Sequence, residues 1–301
     1  MRKQTWLIVS IIAILSSLLM GCSSNSSQLS IKIGSKNFTE NLILGEMYAL
    51  ALEDNGYKVE RKLNLAGTLV AHEALKKGEI DLYPEYTGTG LINIMQEKPL
   101  SDAKEVYDKV AKFYKEQFHL VWLTPSNANN TQALAVSKKI SDAYGIKTIS
   151  DLQKNAANIR LAAVPEFEER EDGLLGLKRV YGDFPFKTMK LFDYGVKYRV
   201  VLNDEADLTV AFATDGELTN PELVVLQDDK KLWPPYYLAP VIRQEILDKD
   251  PNVRQVLDEI SSKINDQTMQ QLNAEVDIKK REYAEVAKEF LEKQMLLKKV
   301  K

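Results

Sequence analysis

The chain has 301 residues, 45% of them hydrophobic and 28% charged, and 40 basic against 43 acidic side chains give a formal net charge of −3. This length suits one large domain or two lobes of ordinary size. The composition excludes a disordered chain, and the charge balance lacks the basic excess that nucleic acid selects. One cysteine excludes an internal disulfide and a Cys-based metal cluster, and two histidines, His72 and His119, leave little for a zinc site or a His-rich catalytic site.

The chain opens with Arg2 and Lys3, then an uncharged apolar run from Trp6 to Met20. At 15 residues the run is short for a spanning helix, which needs about 20, and suits the core of a signal peptide over residues 1–21. It ends in Leu19-Met20-Gly21-Cys22, followed by Ser23-Ser24-Asn25-Ser26-Ser27. This resembles the lipobox of bacterial lipoproteins, in which the cysteine takes a diacylglycerol and becomes the new N-terminus. Two acyl chains give the stable anchoring that one cannot. An uncleaved membrane anchor with an incidental cysteine is the other reading. Residues 22–29 then form a polar tether.

From Ser30 the pattern predicts alternating strands and helices. Ser30 to Ile33 reads as a strand, a helix runs from Asn41 to the Asn55-Gly56 stop, and Lys58 to Leu63 is a second strand. Leu69 to Lys77 is a second helix and Ile80 to Tyr83 a third strand, ended by Pro84. A polar break at Thr124 to Asn130 precedes strand Gln132 to Val136, a helix from Asp151 capped by Ser150, and strand Ile159 to Val164. Helix Leu174 to Tyr181, strand Met189 to Phe192, a helix closing at Val200 to Asn203, and strands Leu208 to Phe212 and Leu223 to Leu226 follow. After a second break at Leu232 to Tyr237, residues 241–301 read as helical. Two α/β units joined by two irregular crossings suggest two lobes with a ligand cleft between them; a single larger α/β domain gives the same pattern.

Enzyme chemistry is not visible. No glycine-rich nucleotide motif follows a strand and Gly-x-Ser-x-Gly is absent. Both histidines read as structural. The acidic cluster Glu166, Glu168, Glu169, Glu171 and Asp172 reads as a solvated face rather than a metal site. More informative is Asp81-Leu82-Tyr83-Pro84-Glu85-Tyr86-Thr87-Gly88-Thr89, which sets Tyr86 and Thr89 at a strand-to-helix turn, where α/β folds hold ligands and free N–H groups suit an anion. Phe212 ends another strand and Tyr236 lies in the second crossing. Aromatic faces that converge attract a quaternary ammonium.

The segments Gly34-Ser35-Lys36-Asn37-Phe38-Thr39-Glu40, Gly78 to Thr89, Thr214-Asp215-Gly216 and Asp228-Asp229-Lys230 through Pro234-Pro235-Tyr236 resemble the osmoprotectant-binding proteins of ABC importers. These are glycine betaine/carnitine/choline-binding lipoproteins of the ProX and OpuC type. The likeness runs from about Ser30 to Leu297. It implies an α/β, two-lobed periplasmic-binding-protein-like fold of type II, with lobe I at 30–126 plus 237–301 and lobe II at 127–236. It implies a monomer that needs no cofactor and no metal, held outside the membrane by Cys22, handing its ligand to an ABC permease and ATPase. In the family the carboxylate of the ligand meets a lysine, a threonine and an arginine, here Lys36, Thr89 and Arg170. The aromatic cage matches Tyr86, Phe212 and Tyr236. Where many relatives have Asn-Thr-Tyr, this chain has Asn130-Thr131-Gln132, so one ring becomes an amide. A cage ring contributes about 0.5–2 kcal/mol toward a cation, and its loss weakens glycine betaine by up to about thirtyfold unless Gln132 bonds a polar part of a larger betaine such as ergothioneine. Arg170→Ala is expected to lose carboxylated ligands and leave choline little changed. A surface lipoprotein acting as a sensor or scaffold is the rival of another class.

Overall fold

The computed structural model describes residues 28–298. The expected leader 1–21, Cys22 and most of the tether lie outside the described residues. Two five-stranded mixed sheets form the cores of two lobes. The first uses β1 (Ser30–Lys36), β2 (Lys58–Leu65), β3 (Leu82–Tyr86), β4 (Leu120–Trp122) and β10 (Leu238–Arg243), in the order β2-β1-β3-β10-β4. The second uses β5 (Gln132–Ser137), β6 (Arg160–Ala163), β7 (Thr188–Leu191), β8 (Leu208–Phe212) and β9 (Leu223–Val225), in the order β7-β6-β8-β5-β9. In each sheet four strands run in one direction, and three of them are neighbours that pair in parallel through β-helix-β crossovers. The strand delivered by a chain crossing, β10 or β5, enters antiparallel between the others.

In the first lobe α1 (Thr39–Asp54) and α2 (Thr68–Lys77) are the crossovers, and α3 (Ala103–Phe118) leads to β4. α3 was not anticipated, although Val106, Val110 and Tyr114 recur on one buried face. The second lobe carries α4 (Lys138–Tyr144), α5 (Ile149–Asn155), α6 (Pro165–Glu169), α7 (Leu174–Tyr181) and α8 (Lys197–Leu202). The chain ends in α9 (Gln244–Lys249), α10 (Asn252–Ser261), α11 (Asp266–Asp277) and α12 (Tyr283–Lys293). Ile31, Ile33, Leu44 and Met47 are buried with Leu257, Met269 and Phe290, so these C-terminal helices cover the first lobe's core.

Three boundaries differ from expectation. Residues 241–243 belong to a strand, not to the helical tail, because Leu238–Arg243 pairs with β3 on one side and β4 on the other. β3 runs through Pro84 to Tyr86, and Pro84 stands opposite Pro240 with the two carbonyls turned away from each other. The Pro84 carbonyl accepts from Asn41 Nδ2 at 3.0 Å and that of Pro240 from Leu123 N at 2.9 Å, while the Tyr107 hydroxyl donates to the Leu123 carbonyl, for which Pro240 has no N–H. α5 starts at Ile149, not Asp151. Thr148 caps it, its hydroxyl accepting from Asp151 N at 3.0 Å while the Asp151 carboxylate accepts from Thr148 N at 3.1 Å, and Ser150 bonds Asp229 instead.

Candidate functional site

The carboxyl ends of β1 and β3 and the start of α2 meet at one edge of the first sheet. Lys36, buried at the end of β1, donates to Glu85 Oε1 at 2.6 Å and to Thr68 Oγ1 at 3.1 Å. Its ammonium also lies 5.3 Å from the Tyr86 ring centroid. Arg170, just beyond α6 in the second lobe, reaches across. One guanidinium nitrogen lies 3.4 Å from Thr68 Oγ1 and another 3.3 Å from Thr89 Oγ1. Asp172 aims it, accepting from Nε and Nη2 at 2.7 Å each. Burial would push the Asp172 carboxyl upward, but the Arg170 guanidinium holds it below the usual carboxylate range. Lys36, Thr89 and Arg170 thus come together around Thr68, a residue that sequence reasoning missed. Lys36 arrives already paired with Glu85 rather than as a free cation.

The aromatic residues form the other part. Tyr86 ends β3, and Phe212 ends β8 directly opposite Gln132 on β5. Phe38 joins them: its ring centroid is 6.1 Å from Tyr86 and 6.2 Å from Phe212, the latter pair stacked. Tyr194, between β7 and α8, is 5.7 Å from Phe38 and 6.2 Å from Phe212. Rings from both lobes therefore share one cluster. Tyr236 packs flat on the backbone of Gly88, where a Cβ would come within 2.7 Å of its ring, and its hydroxyl donates to Asp172. Phe38 and Tyr194 were missed. Phe38 stands inside the Lys-Asn-Phe-Thr-Glu segment and Tyr194 precedes Gly195 at a junction, so both follow the rule that singled out Phe212.

Asn130 and Tyr86 meet through a shared acceptor. Asn130 Nδ2 and the Tyr86 hydroxyl both donate to Glu40 Oε1 at 2.8 Å. Gln132 is buried, and its Nε2 has no hydrogen-bond partner among the described residues. Lys197 is an unexpected neighbour. Its ammonium lies 4.9 Å from the Phe212 centroid and pairs with Asp215 at 2.8 Å.

The acidic cluster is not the solvated face expected. Glu166 accepts from Thr68 N at 2.8 Å and from the Tyr194 hydroxyl at 2.9 Å, and Asp172 is buried beneath Arg170. α6 and the turn after it rotate these two acids inward, whereas Glu169 stays exposed. His72 packs against the edges of Tyr114 and Phe118, and His119 ends α3 in a left-handed conformation, both structural positions. A cavity of about 390 Å³ opens beside Arg170, between Thr68 and Leu69 of one lobe and Glu166 and Tyr194 of the other.

Residues 30–293 match the model of the substrate binding domain of ABC-type glycine betaine transport systems. The chain is 33% identical over 301 residues to the carnitine transport binding protein OpuCC of Listeria monocytogenes, covering 97% of each. It is 37% identical over 262 residues to the ergothioneine transport permease/ergothioneine binding protein EgtU of Helicobacter pylori, covering 87% of this chain and 47% of that longer protein. A crystal structure of a glycine betaine/carnitine/choline ABC transporter protein superposes with a TM-score of 0.71 at 30% identity, over 90% of this chain and 99% of the other. With two mixed sheets facing one cleft and a match spanning nearly all of the described residues, the chain belongs to the family of substrate-binding domains of ABC-type glycine betaine transport systems.

Proposed function

We propose that the chain captures a quaternary ammonium compound of the glycine betaine type outside the membrane and delivers it to an ABC permease driven by an ATPase. The observation that carries this reading is the two-sided cleft. Arg170, Thr68 and Thr89 converge from opposite lobes at one place, and Phe38, Tyr86, Tyr194 and Phe212 converge from opposite lobes at another. In this reading the lobes divide at residues 126–127 and 236–237. The carboxylate of the ligand meets Arg170 and Thr89, with Lys36 behind them. The ammonium meets Tyr86, Phe212 and Tyr236, with Asn130 and Gln132 completing the wall. Ligand contacts drawn from both lobes favour the closed form and shift the population toward it. Binding is the whole role; no catalytic step is assigned to any residue. Cys22 carries the lipid anchor and the protein acts as a monomer.

A larger betaine such as ergothioneine is the second reading. It is favoured by the unpartnered amide of Gln132, by the cavity beside Arg170 and by the likeness to EgtU. Calorimetric titration of the full chain with glycine betaine, carnitine, choline and ergothioneine tests both. Micromolar or tighter binding of at least one is expected. Ergothioneine alone selects the second reading, and silence from all four overturns the proposal.

A further inference from the structure

Six carboxylates are buried among the described residues: Glu40, Glu46, Asp81, Glu85, Asp172 and Asp207. Five have a lysine or arginine nitrogen within 4 Å: Arg61 for Glu46, Arg243 for Asp81, Lys36 for Glu85, Arg170 for Asp172 and Arg160 for Asp207. Glu40 has none. Burying a charge without an opposite charge is costly, so an unpaired buried carboxylate either takes up a proton or is completed by a counter-charge supplied from elsewhere.

Glu40 is held as an acceptor. Oε1 takes the Tyr86 hydroxyl and Asn130 Nδ2 at 2.8 Å each, and Oε2 takes the Thr214 hydroxyl at 2.6 Å and Asn273 Nδ2 at 2.9 Å. The Asn273 amide is oriented independently, because Nδ2 also donates to the Thr214 carbonyl at 2.9 Å. Burial pushes the Glu40 carboxyl upward, while donation from Thr214, Asn273 and Tyr86 opposes that rise. Two oxygens that receive four donations favour the ionised form, which a neighbouring cation would complete. Glu40 also lines a small cavity with Phe38, Tyr194, Phe212 and Lys197, so it stands beside the aromatic cluster, while the Lys197 ammonium in that cavity is paired with Asp215.

We propose that Glu40 is the counter-charge for the ammonium of the ligand and the residue that makes the cleft select a cation over a neutral group of the same shape. It acts behind the rings rather than by contact. Donation from the Tyr86 hydroxyl to a carboxylate moves electron density into the phenol ring, and a more negative ring face attracts a cation more strongly. The inference rests on the proposed function, since it needs the ammonium at Tyr86.

The test compares two ligands on the full chain: glycine betaine, and its tert-butyl analogue, in which carbon replaces the quaternary nitrogen and the carboxylate is kept. The unaltered protein is expected to prefer glycine betaine. Glu40→Gln should shrink that preference by about tenfold while changing affinity for the analogue by less than about threefold. Tyr86→Phe keeps the ring and removes the link to Glu40, and should shrink the preference in the same direction, which keeps the test open if Glu40→Gln does not fold. Equal weakening of both ligands, or an unchanged preference in either variant, overturns the inference and leaves the proposed function standing. If the unaltered protein binds glycine betaine no better than the analogue, both fall.

Discussion

Arg170 owes its position to Asp172 more than to the threonines it reaches, since its bidentate contacts to Asp172 are 2.7 Å and those to Thr68 and Thr89 are 3.4 and 3.3 Å. Removing it therefore does more than remove a carboxylate partner. Arg170→Ala leaves Asp172 buried with no cation, which costs roughly 3–5 kcal/mol of stability. Adding Asp172→Asn should return part of that loss in urea unfolding, because a neutral amide needs no counter-ion; a double variant no more stable than the single would show that the pair is not the cause. Asp172 also holds the Tyr236 hydroxyl, so choline binding is expected to weaken as well, unlike the outcome read from sequence. At this scale the motifs exposed eight candidates but not their pairings. The motif marks Lys36 as a ligand contact, whereas its buried partner Glu85 lies 49 positions away. Glu40 stood at the end of a recognised segment with nothing local to mark it as unpaired.

At the scale of elements, α2 and α3 are joined through a histidine. The His72 ring meets Tyr114 and Phe118 edge-on at 5.2 and 5.0 Å. Burial, and secondarily Lys76, push its pKa down to about 4. The folded value is below the unfolded one for a base, so the unfolded chain takes up a proton first as pH falls. Stability contributed by the neutral ring is full above about pH 6.5 and is lost progressively toward pH 4, a total of up to about 3 kcal/mol. Urea unfolding at pH 7 and 4.5 should show this decline, and His72→Leu should reduce it; an equal decline in the variant would remove His72 as its source. The strand and helix order was largely legible because buried faces repeat at 2 or 3.6 residues. Local pattern cuts β3 short and hides the start of β10 because each contains a proline, which marks a break locally. The structure accommodates Pro240 through the distant Tyr107 hydroxyl, which donates to the Leu123 carbonyl in place of the missing N–H.

At the scale of the molecule, the lobes meet along a seam where Gly216, in the turn after β8, lies against α11. A Cβ on Gly216 would come within 2.6 Å of the Ala274 backbone nitrogen, and backbone cannot yield as a side chain can. Gly216→Ala is expected to hold the lobes apart. Small-angle scattering with saturating ligand should give a larger radius of gyration than the unaltered protein, and affinity should fall about tenfold, consistent with an overpacking cost of about 1–3 kcal/mol. A variant that contracts like the unaltered protein would mean that this seam does not limit closure. By itself the sequence determined the α/β alternation, the two irregular crossings and the segments that carry the family, because each is written in residues close together along the chain. Only the tertiary structure decided that β10 and β5 enter the sheets antiparallel, that Phe38 and Tyr194 join the rings, that Glu166 and Asp172 turn inward, and that Glu40 is buried without a cation. Those outcomes depend on which distant side chains share a low-dielectric interior, and local pattern carries no record of such neighbours.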